Sequence, residues 1–355
     1  MEDLVNLTDA LNSFAGRRVL VTGHTGFKGS WLCLWLTRLG AKVTGFSDNV
    51  TTDPSHFAVL QLDIDDRRGD VSDVAAVRAV IEEVQPEIVF HLAAQSLVRR
   101  AYADPVGTYR TNVLGTLAVL EASRASKVRA LVSTTTDKVY RNREWAWGYR
   151  ESDELGGSDP YSASKSCVEL LTNSYRQSFL GGPDRMLVAS VRAGNVIGGG
   201  DWAEDRLIPD IVRAAHAGEP VRIRNPQSTR PWQHVLDVLA GYLEVGGQLL
   251  AGDETKADAW NFGPLGQANI RVRDILDEVK MTFPDLEIAV EPEDEGRKES
   301  NLLQLDSTNA RTQLHWQPRW ESEMLERTLA WYRAYYQDGR VISAEQLTEY
   351  TSVKG

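Results

Sequence analysis

Short apolar runs alternate with longer amphipathic stretches along most of this chain, always in the same order. Arg18 to Thr22 (RVLVT) predicts a buried strand that runs into a Gly-rich turn. Lys28 to Leu39 follows, with Trp31, Leu32, Leu34, Trp35 and Leu36 forming the wide apolar face of a helix. Further strands are predicted at Lys42 to Phe46, Glu87 to Leu92 (EIVFHL), Ala130 to Ser133 and Met186 to Arg192. Helices are predicted between them at Val74 to Val84, Thr108 to Ala125 and Ser162 to Phe179. This alternation predicts an α/β protein built on a doubly wound parallel sheet.

After Arg192 the pattern loosens. Gly198 to Trp202 reads as a loop, Ile208 to His216 as a short helix and Val221 to Arg224 as an edge strand. His234 to Leu249 returns to a long helix, and the tail from Arg271 to Tyr336 mixes helices with an acidic, Pro-containing loop at Glu291 to Gly296. Residues 1–16 read as a short amphipathic helix or an extension. The expected division is a dinucleotide-binding domain, 1–192 with 234–262, and a smaller lobe, 193–233 with 263–345. The lobe would cover the carboxyl edge of the sheet, where open α/β sheets bind ligands.

Composition narrows the partners. The chain has 355 residues, 42% apolar and 25% charged, with a formal net charge of −11. That balance argues against a nucleic-acid or anionic-membrane binder, and leaves room for a local basic pocket. The two cysteines, Cys33 and Cys167, suit a reducing compartment. Glu2 and Asp3 do not begin a signal peptide, no apolar run reaches the ~18 residues of a membrane span, and a cytoplasmic protein without a metal site is expected.

Gly23-His-Thr25-Gly26-Phe27-Lys28-Gly29 is a GxxGxxG turn between a strand and a helix. Glycines there let the backbone approach a pyrophosphate, and the helix start offers unpaired N–H groups. Asp48 lies nineteen residues after Gly29, where a carboxylate can accept the ribose hydroxyls and repel a 2′-phosphate, favouring NAD over NADP. The alternative is a solvated turn residue. Asp70, beside Val71, could accept from an adenine amino group. Ala93-Ala94-Gln95, after a strand, would pass close beneath the cofactor.

Tyr161 and Lys165 stand four residues apart on a predicted helix, so a phenol and an ammonium share one face. The cation should favour the phenolate, which could then take a proton from an alcohol. Thr136-Asp137-Lys138 adds an acid and an amine just upstream, pointing to chemistry beyond oxidation. The bland alternative for the doublet is a solvated ion pair after a strand.

These stretches together resemble the extended short-chain dehydrogenase/reductase family, a Rossmann-type fold, over residues 17–335. Within it, VTGHTGFKGSWL (Val21–Leu32), HLAAQSLVR (His91–Arg99), TDKVY (Thr136–Tyr140), EWAWGYRESDELGGSDPYSASK (Glu144–Lys165), VRAGNVIGGGDWAEDRLIPDI (Val191–Ile211) and RNPQSTRPWQHVL (Arg224–Leu236) are similar to the CDP-glucose 4,6-dehydratases. The resemblance implies NAD as a cofactor retained through the cycle and CDP-glucose as substrate. It implies that Tyr161, with Lys165 and Thr136, takes the C4 hydroxyl proton, that Asp137 is the acid at C6, and that Lys138 is the base at C5 or a stabiliser of the enolate. Thr111 joins the cofactor set by the same resemblance.

At the substrate end, Arg230 would hold the pyrophosphate, with Arg224 as a second cation and Asn195 donating to phosphate or sugar. Arg99, Asp201, Trp202, Arg206 and Leu207 belong to the segments expected around the nucleotide, where Trp202 would either stack or pack in the lobe. Gln95 is a candidate for both ligands. Near Gly296 to Asp306 this chain has Lys298, Asn301 and Gln304 where the family usually shows His and a basic residue, so nucleotide and sugar preference stay open. A dehydratase or 4-epimerase for another nucleotide sugar is the alternative enzyme, and a non-catalytic NAD-binding protein the alternative class. The helices at Thr108–Ala125 and Ser162–Phe179 resemble the pair that forms a dimer contact in the family, so a homodimer or homotetramer is expected.

Overall fold

Seven strands lie side by side, all parallel, in the order Ala259–Phe262, Leu187–Ala193, Ala130–Thr134, Ile88–His91, Arg18–Thr22, Lys42–Ser47, Asp65–Arg68. The computed structural model describes residues 7–352 except 51, 180–184, 224–225, 227–228, 266–268 and 291–301. In chain order these strands are β1 (Arg18–Thr22), β2 (Lys42–Ser47), β3 (Asp65–Arg68), β4 (Ile88–His91), β5 (Ala130–Thr134), β6 (Leu187–Ala193) and β10 (Ala259–Phe262). The remaining strands are β7 (Asn195–Ile197), β8 (Val221–Ile223), β9 (Thr229–His234), β11 (Asn269–Arg271) and β12 (Ile288–Val290). The first half contributes helices α1 (Leu7–Asn12), α2 (Phe27–Arg38), α3 (His56–Leu60), α4 (Val74–Val84), α5 (Val98–Ala103), α6 (Pro105–Tyr109), α7 (Gly115–Ala125) and α8 (Pro160–Phe179). The second contributes α9 (Leu207–Ala217), α10 (Val235–Ala251), α11 (Val272–Thr282), α12 (Thr308–Gln313), α13 (Met324–Asp338) and α14 (Ser343–Ser352).

The strands read as unbroken apolar runs because both faces of the sheet are covered. Val19 and Val21 face a layer containing Trp31, Trp35, Leu239 and Leu243, while Leu20 between them faces Val77, Ile81 and Val119. Each such side chain contributes about 1.5–3 kcal/mol relative to exposure. The chain leaves β1 toward β2 and β3 on one side and returns to β4, β5 and β6 on the other. This creates a switch point at the carboxyl ends of β1 and β4, where the loops splay apart.

Several elements differ from the sequence reading. The charged run Asp65–Arg68 forms a strand because it is the sheet's edge, where one side is solvent and polar residues are tolerated. The helix expected over Thr108–Ala125 begins at Pro105, behind the Asp104 cap, and contains a π-helical turn at Arg110–Leu114. Val221–Ile223 does not edge the main sheet: it pairs in parallel with β12, while β7, β9 and β11 form a third sheet. The acidic loop Glu291 to Gly296 and the first six residues lie outside the described residues. No described helix is long and apolar enough to cross a membrane.

The C-terminal helix returns to the dinucleotide half of the molecule. Tyr350 on α14 packs against Trp35 and donates to Asp237 Oδ1 at 2.9 Å. The same oxygen accepts from the Arg319 and Trp320 backbone N–H groups at 2.7 and 3.3 Å. Burial raises the Asp237 carboxyl to about 6, these hydrogen bonds opposing the shift. Folded protein therefore keeps a proton that the unfolded chain releases between about pH 4 and about pH 6, so the residue's contribution falls as pH rises through that window. Relative to Asp237→Asn, wild-type stability should fall by up to about 3 kcal/mol between the two ends. Parallel thermal melts across pH check this, and a constant difference would contradict it.

Candidate active site

The turn after β1 is built from contacts that exclude side chains. Gly23 has φ +74°, and a Cβ there would lie 2.6 Å from Ala93 N; one on Gly29 would lie 2.1 Å from Gly23 O. Gly26 caps α2 without a side-chain hydrogen bond, and no acidic residue occupies the helix's first turn. A backbone cradle at an uncapped, non-acidic helix start suits a pyrophosphate. Thr25 Oγ1 donates to Asn49 O at 2.7 Å and ties this turn to the loop after β2. His24, which the sequence reading left without a role, is buried with its ring nitrogens 2.9 Å from Asp66 Oδ1 and 3.0 Å from Ser47 Oγ.

The turn after β4 is clamped by Asn112, on the π-helical segment. Asn112 Oδ1 accepts from Gln95 N at 2.8 Å, and its amide donates to Gln95 O at 3.0 Å and Ser164 Oγ at 2.8 Å. Sequence reasoning missed Asn112; a π-helical turn, common at functional sites, has no reliable sequence signal. The Gln95 side chain, expected at the ligands, is engaged with Leu97 and Thr108 instead. Asp70 likewise accepts from Ser72 N and Oγ at 2.8 Å and meets Arg110 at 3.5 Å, while Asp48 is exposed and accepts from Asn49 N. Val71 is buried against Gly115, and Thr111 is half-buried on the π-helical turn.

The chemical groups gather where β5 ends. Thr136 caps a short 3₁₀ turn, Asp137–Val139, and donates to Asp137 Oδ1 at 3.0 Å. Asp137 is 2% exposed, so it is not a solvated ion-pair residue; Lys138 beside it is half-buried. Tyr161 and Lys165 project from the first turns of α8 and are both buried, with Tyr161 hydrogen-bonded to Thr136. Lys165 Nζ donates to Thr134 O at 2.9 Å. The expected lowering of the phenol is not found in the protein alone. Burial pushes Tyr161 up to about 12, against the Thr136 hydrogen bond, and the Asp137 charge adds to the rise; the Lys165 ammonium is directed at the backbone. Burial lowers Lys165 to about 8, against Glu169, and lowers Lys28 to about 7, helped by the Arg206 and Lys165 charges.

On the opposing side, Asp201 Oδ2 accepts from Arg206 at 3.1 Å, and Arg99 pairs with Asp205 at 2.8 Å. Arg206 precedes Leu207 at the start of α9 and bears electrostatically on Tyr161. Asn195 opens β7, half-buried. Trp202 offers no stacking face: its ring is 4% exposed, packed among Trp331, Tyr332 and Tyr335, and its Nε1 donates to Tyr336 Oη. Arg230 lies on β9, whereas Arg224, Lys298 and Asn301 lie outside the described residues. The described residues contain no cluster of His, Cys, Asp and Glu that could hold a metal ion.

A seven-stranded parallel sheet, a glycine turn after its first strand and a Tyr-x-x-x-Lys helix beneath the carboxyl edge define an extended short-chain dehydrogenase/reductase. A family model described as GDP-mannose 4,6 dehydratase matches residues 20–329, and the chain belongs to that family. It is 45% identical to a CDP-glucose 4,6-dehydratase of Salmonella typhimurium, covering 96% of this chain and 98% of the relative. Among solved structures it is similar to an epimerase from Methanothermobacter thermautotrophicus, with TM-score 0.81 and 25% identity over 95% of this chain and 98% of that one. It is also similar to the Thermus thermophilus UDP-glucose 4-epimerase in complex with NAD, with TM-score 0.76 and 26% identity over 89% of this chain and 99% of that one.

Gly29→Ala tests the cradle. With its Cβ 2.1 Å from Gly23 O, the turn must open, and dinucleotide affinity by calorimetry should fall at least about tenfold with helical content retained. Unchanged affinity would remove the turn from the binding site.

Proposed function

We propose that this protein dehydrates CDP-glucose to CDP-4-keto-6-deoxyglucose with NAD as a retained cofactor. The observation that carries the reading is the buried Asp137 beside Lys138, held by Thr136 within reach of the Tyr161–Lys165 pair. The 45% identity to the Salmonella typhimurium CDP-glucose 4,6-dehydratase supports the nucleotide, and the NAD complex of the Thermus thermophilus enzyme supports the cofactor. In the proposed division of labour, 1–192 with 234–262 holds the cofactor and 193–233 with 263–345 the nucleotide sugar, with Asn195, Arg206 and Arg230 on the phosphate side.

Tyr161 takes the proton from the C4 hydroxyl, oriented by Thr136. The Gly23–Gly29 turn and the start of α2 would hold NAD, which would supply a hydride acceptor at C4 and a donor at C6. The C4 ketone acidifies the hydrogen at C5, which Lys138 removes as a proton. Asp137 protonates the departing C6 hydroxyl, and water leaves. The same lysine returns a proton to C5 as C6 is reduced, so the net change is loss of one water with no net oxidation. Asp137 is buried beside Lys138, where a carboxyl can act as acid toward a leaving group. An epimerase needs the Tyr–Lys pair alone and gives no use to Asp137 and Lys138.

Incubation with CDP-glucose and no reductant should give a product one water lighter, without NADH accumulation, by mass spectrometry and absorbance. Turnover of dTDP-, GDP- or UDP-sugars but not of CDP-glucose would sink the nucleotide assignment. Lys138→Met should slow dehydration on the order of 100-fold or more while C4 oxidation continues, leaving bound NADH visible. Dehydration at the wild-type rate would remove Lys138 from the base role.

A homodimer is also proposed. Tyr102, Val106, Leu114, Leu117 and Leu170 are exposed on α5, α6, the π-helical turn, α7 and α8, an apolar surface of the kind that mediates association. Light scattering should give twice the chain mass or more, and Val106→Asp with Leu170→Asp should lower it; a monomeric wild type would contradict the assignment.

A further inference from the structure

The turn that carries Thr136, Asp137 and Lys138 is bounded by two buried hydroxyls, and both end on one ion pair. Glu169, on α8, and Arg192, on β6, are 1% and 3% exposed and meet through two parallel hydrogen bonds, Nε to Oε1 at 2.9 Å and Nη2 to Oε2 at 2.7 Å. Thr135 Oγ1, immediately before the turn, donates to Glu169 Oε1. Tyr140 Oη, immediately after it, accepts from Arg192 Nη1 at 2.6 Å and donates to Asn261 Oδ1 at 2.8 Å. Ser190 Oγ donates to Glu169 Oε2 at 2.7 Å, and Arg192 Nη1 reaches Glu151 O at 3.2 Å.

Glu169 follows Lys165 by four residues and Tyr161 by eight, so all three lie on one stripe of α8. Of the groups for oxidation, Tyr161 and Lys165 therefore ride on this helix directly, and Thr136 sits on the turn. The groups for elimination do not: they sit on a separate turn. Two apolar side chains would fill the same space without the desolvation cost of a buried ion pair. Two of the pair's remaining hydrogen bonds, to Thr135 and Tyr140, are made with residues flanking the turn, and an apolar pair could not reproduce them.

We propose that the Glu169–Arg192 pair is a positioning device for the elimination step, tying both ends of the Thr136–Lys138 turn, through Thr135 and Tyr140, to the helix that carries Tyr161 and Lys165. Glu169, Arg192, Thr135 and Tyr140 are positioning residues; they act on the turn through its two flanking residues. The inference deepens the proposed function and rests on it. Loosening either anchor displaces Asp137 and Lys138 relative to the sugar while Tyr161 and Lys165 keep their mutual geometry, so elimination suffers before oxidation.

Thr135→Val and Tyr140→Phe each delete one hydroxyl and keep most of the side-chain volume; Thr135→Ser keeps the hydroxyl. With the nucleotide sugar that wild type turns over, the Val and Phe variants should slow dehydration on the order of 10- to 100-fold and accumulate bound NADH, and the Ser variant should behave as wild type. Amide hydrogen exchange should quicken in residues 136–139 of both variants. Wild-type turnover in both, or oxidation and elimination slowed equally with no NADH build-up, would overturn the proposal. Should Thr135→Val not fold, Tyr140→Phe decides the matter alone. A wild type that dehydrates no nucleotide sugar would overturn the functional reading and with it the assignment to elimination, while active wild type with unaffected variants overturns only the positioning role.

Discussion

A carboxylate and a guanidinium buried together must satisfy every hydrogen-bonding position around them, and Glu169 with Arg192 imposes that constraint beneath the active site. Burial alone would raise the Glu169 carboxyl. The Arg192 charge and the bonds from Arg192, Thr135 and Ser190 outweigh it and hold the group below the ordinary value. The partners required are spread over the residues flanking the 3₁₀ turn, β6 and the loop carrying Glu151. One ion pair thus fixes how α8 sits on the sheet and where the turn after β5 leaves it. The π-helical turn performs a similar service nearby, where Asn112 joins the β4 turn to Ser164 on α8.

The protonation states follow from burial as much as from pairing. Burial pushes Tyr161 up to about 12 in the protein alone, where Lys165 is directed at Thr134 O. Arg206, on the opposing segment, is the cation that favours the phenolate, together with the Thr136 hydrogen bond. The Asp137 charge opposes it, so the phenol responds to charges on both the 3₁₀ turn and the segment before α9. Asp201 pairs with Arg206 and receives the Tyr332 hydroxyl on its backbone oxygen, so α13 contributes to positioning that segment.

Local chemistry was legible in the sequence wherever one element carried it. The glycine turn, Tyr161 with Lys165, and Thr136-Asp137-Lys138 are each encoded within a few residues, and all lie at the carboxyl edge of the sheet. Residues whose meaning depends on distant partners were not legible. Asn112, Arg192 and Tyr140 look like ordinary helix, strand and turn residues until the fold brings Gln95, Glu169 and Asn261 to them. The same limit explains Trp202, whose burial among the α13 aromatics depends on residues more than a hundred positions later. Strands of three residues, such as β7 and β11, and a charged edge strand such as β3 fall below what periodicity can detect.

An acidic chain that handles a doubly anionic ligand must separate its bulk charge from its local charge. The formal balance is −11, yet Lys28, Lys165 and Arg206 crowd one edge of the sheet closely enough to depress the Lys28 amine to about 7, after burial itself. Asp137 and Asp201 offset this only in part. Mutual repulsion among cations is a cost to the protein alone and a reserve of attraction toward phosphate, because an anion between them removes the repulsion as well as adding its own contacts. The uncapped start of α2 lies in the same place and adds backbone donors without adding a charge that must be neutralised. Net charge therefore says little about this site. What counts is that these cations are gathered at one edge, while carboxylates such as Glu83 and Glu154 lie elsewhere at exposed positions, paired with Arg67 and Arg141, where solvent screens them.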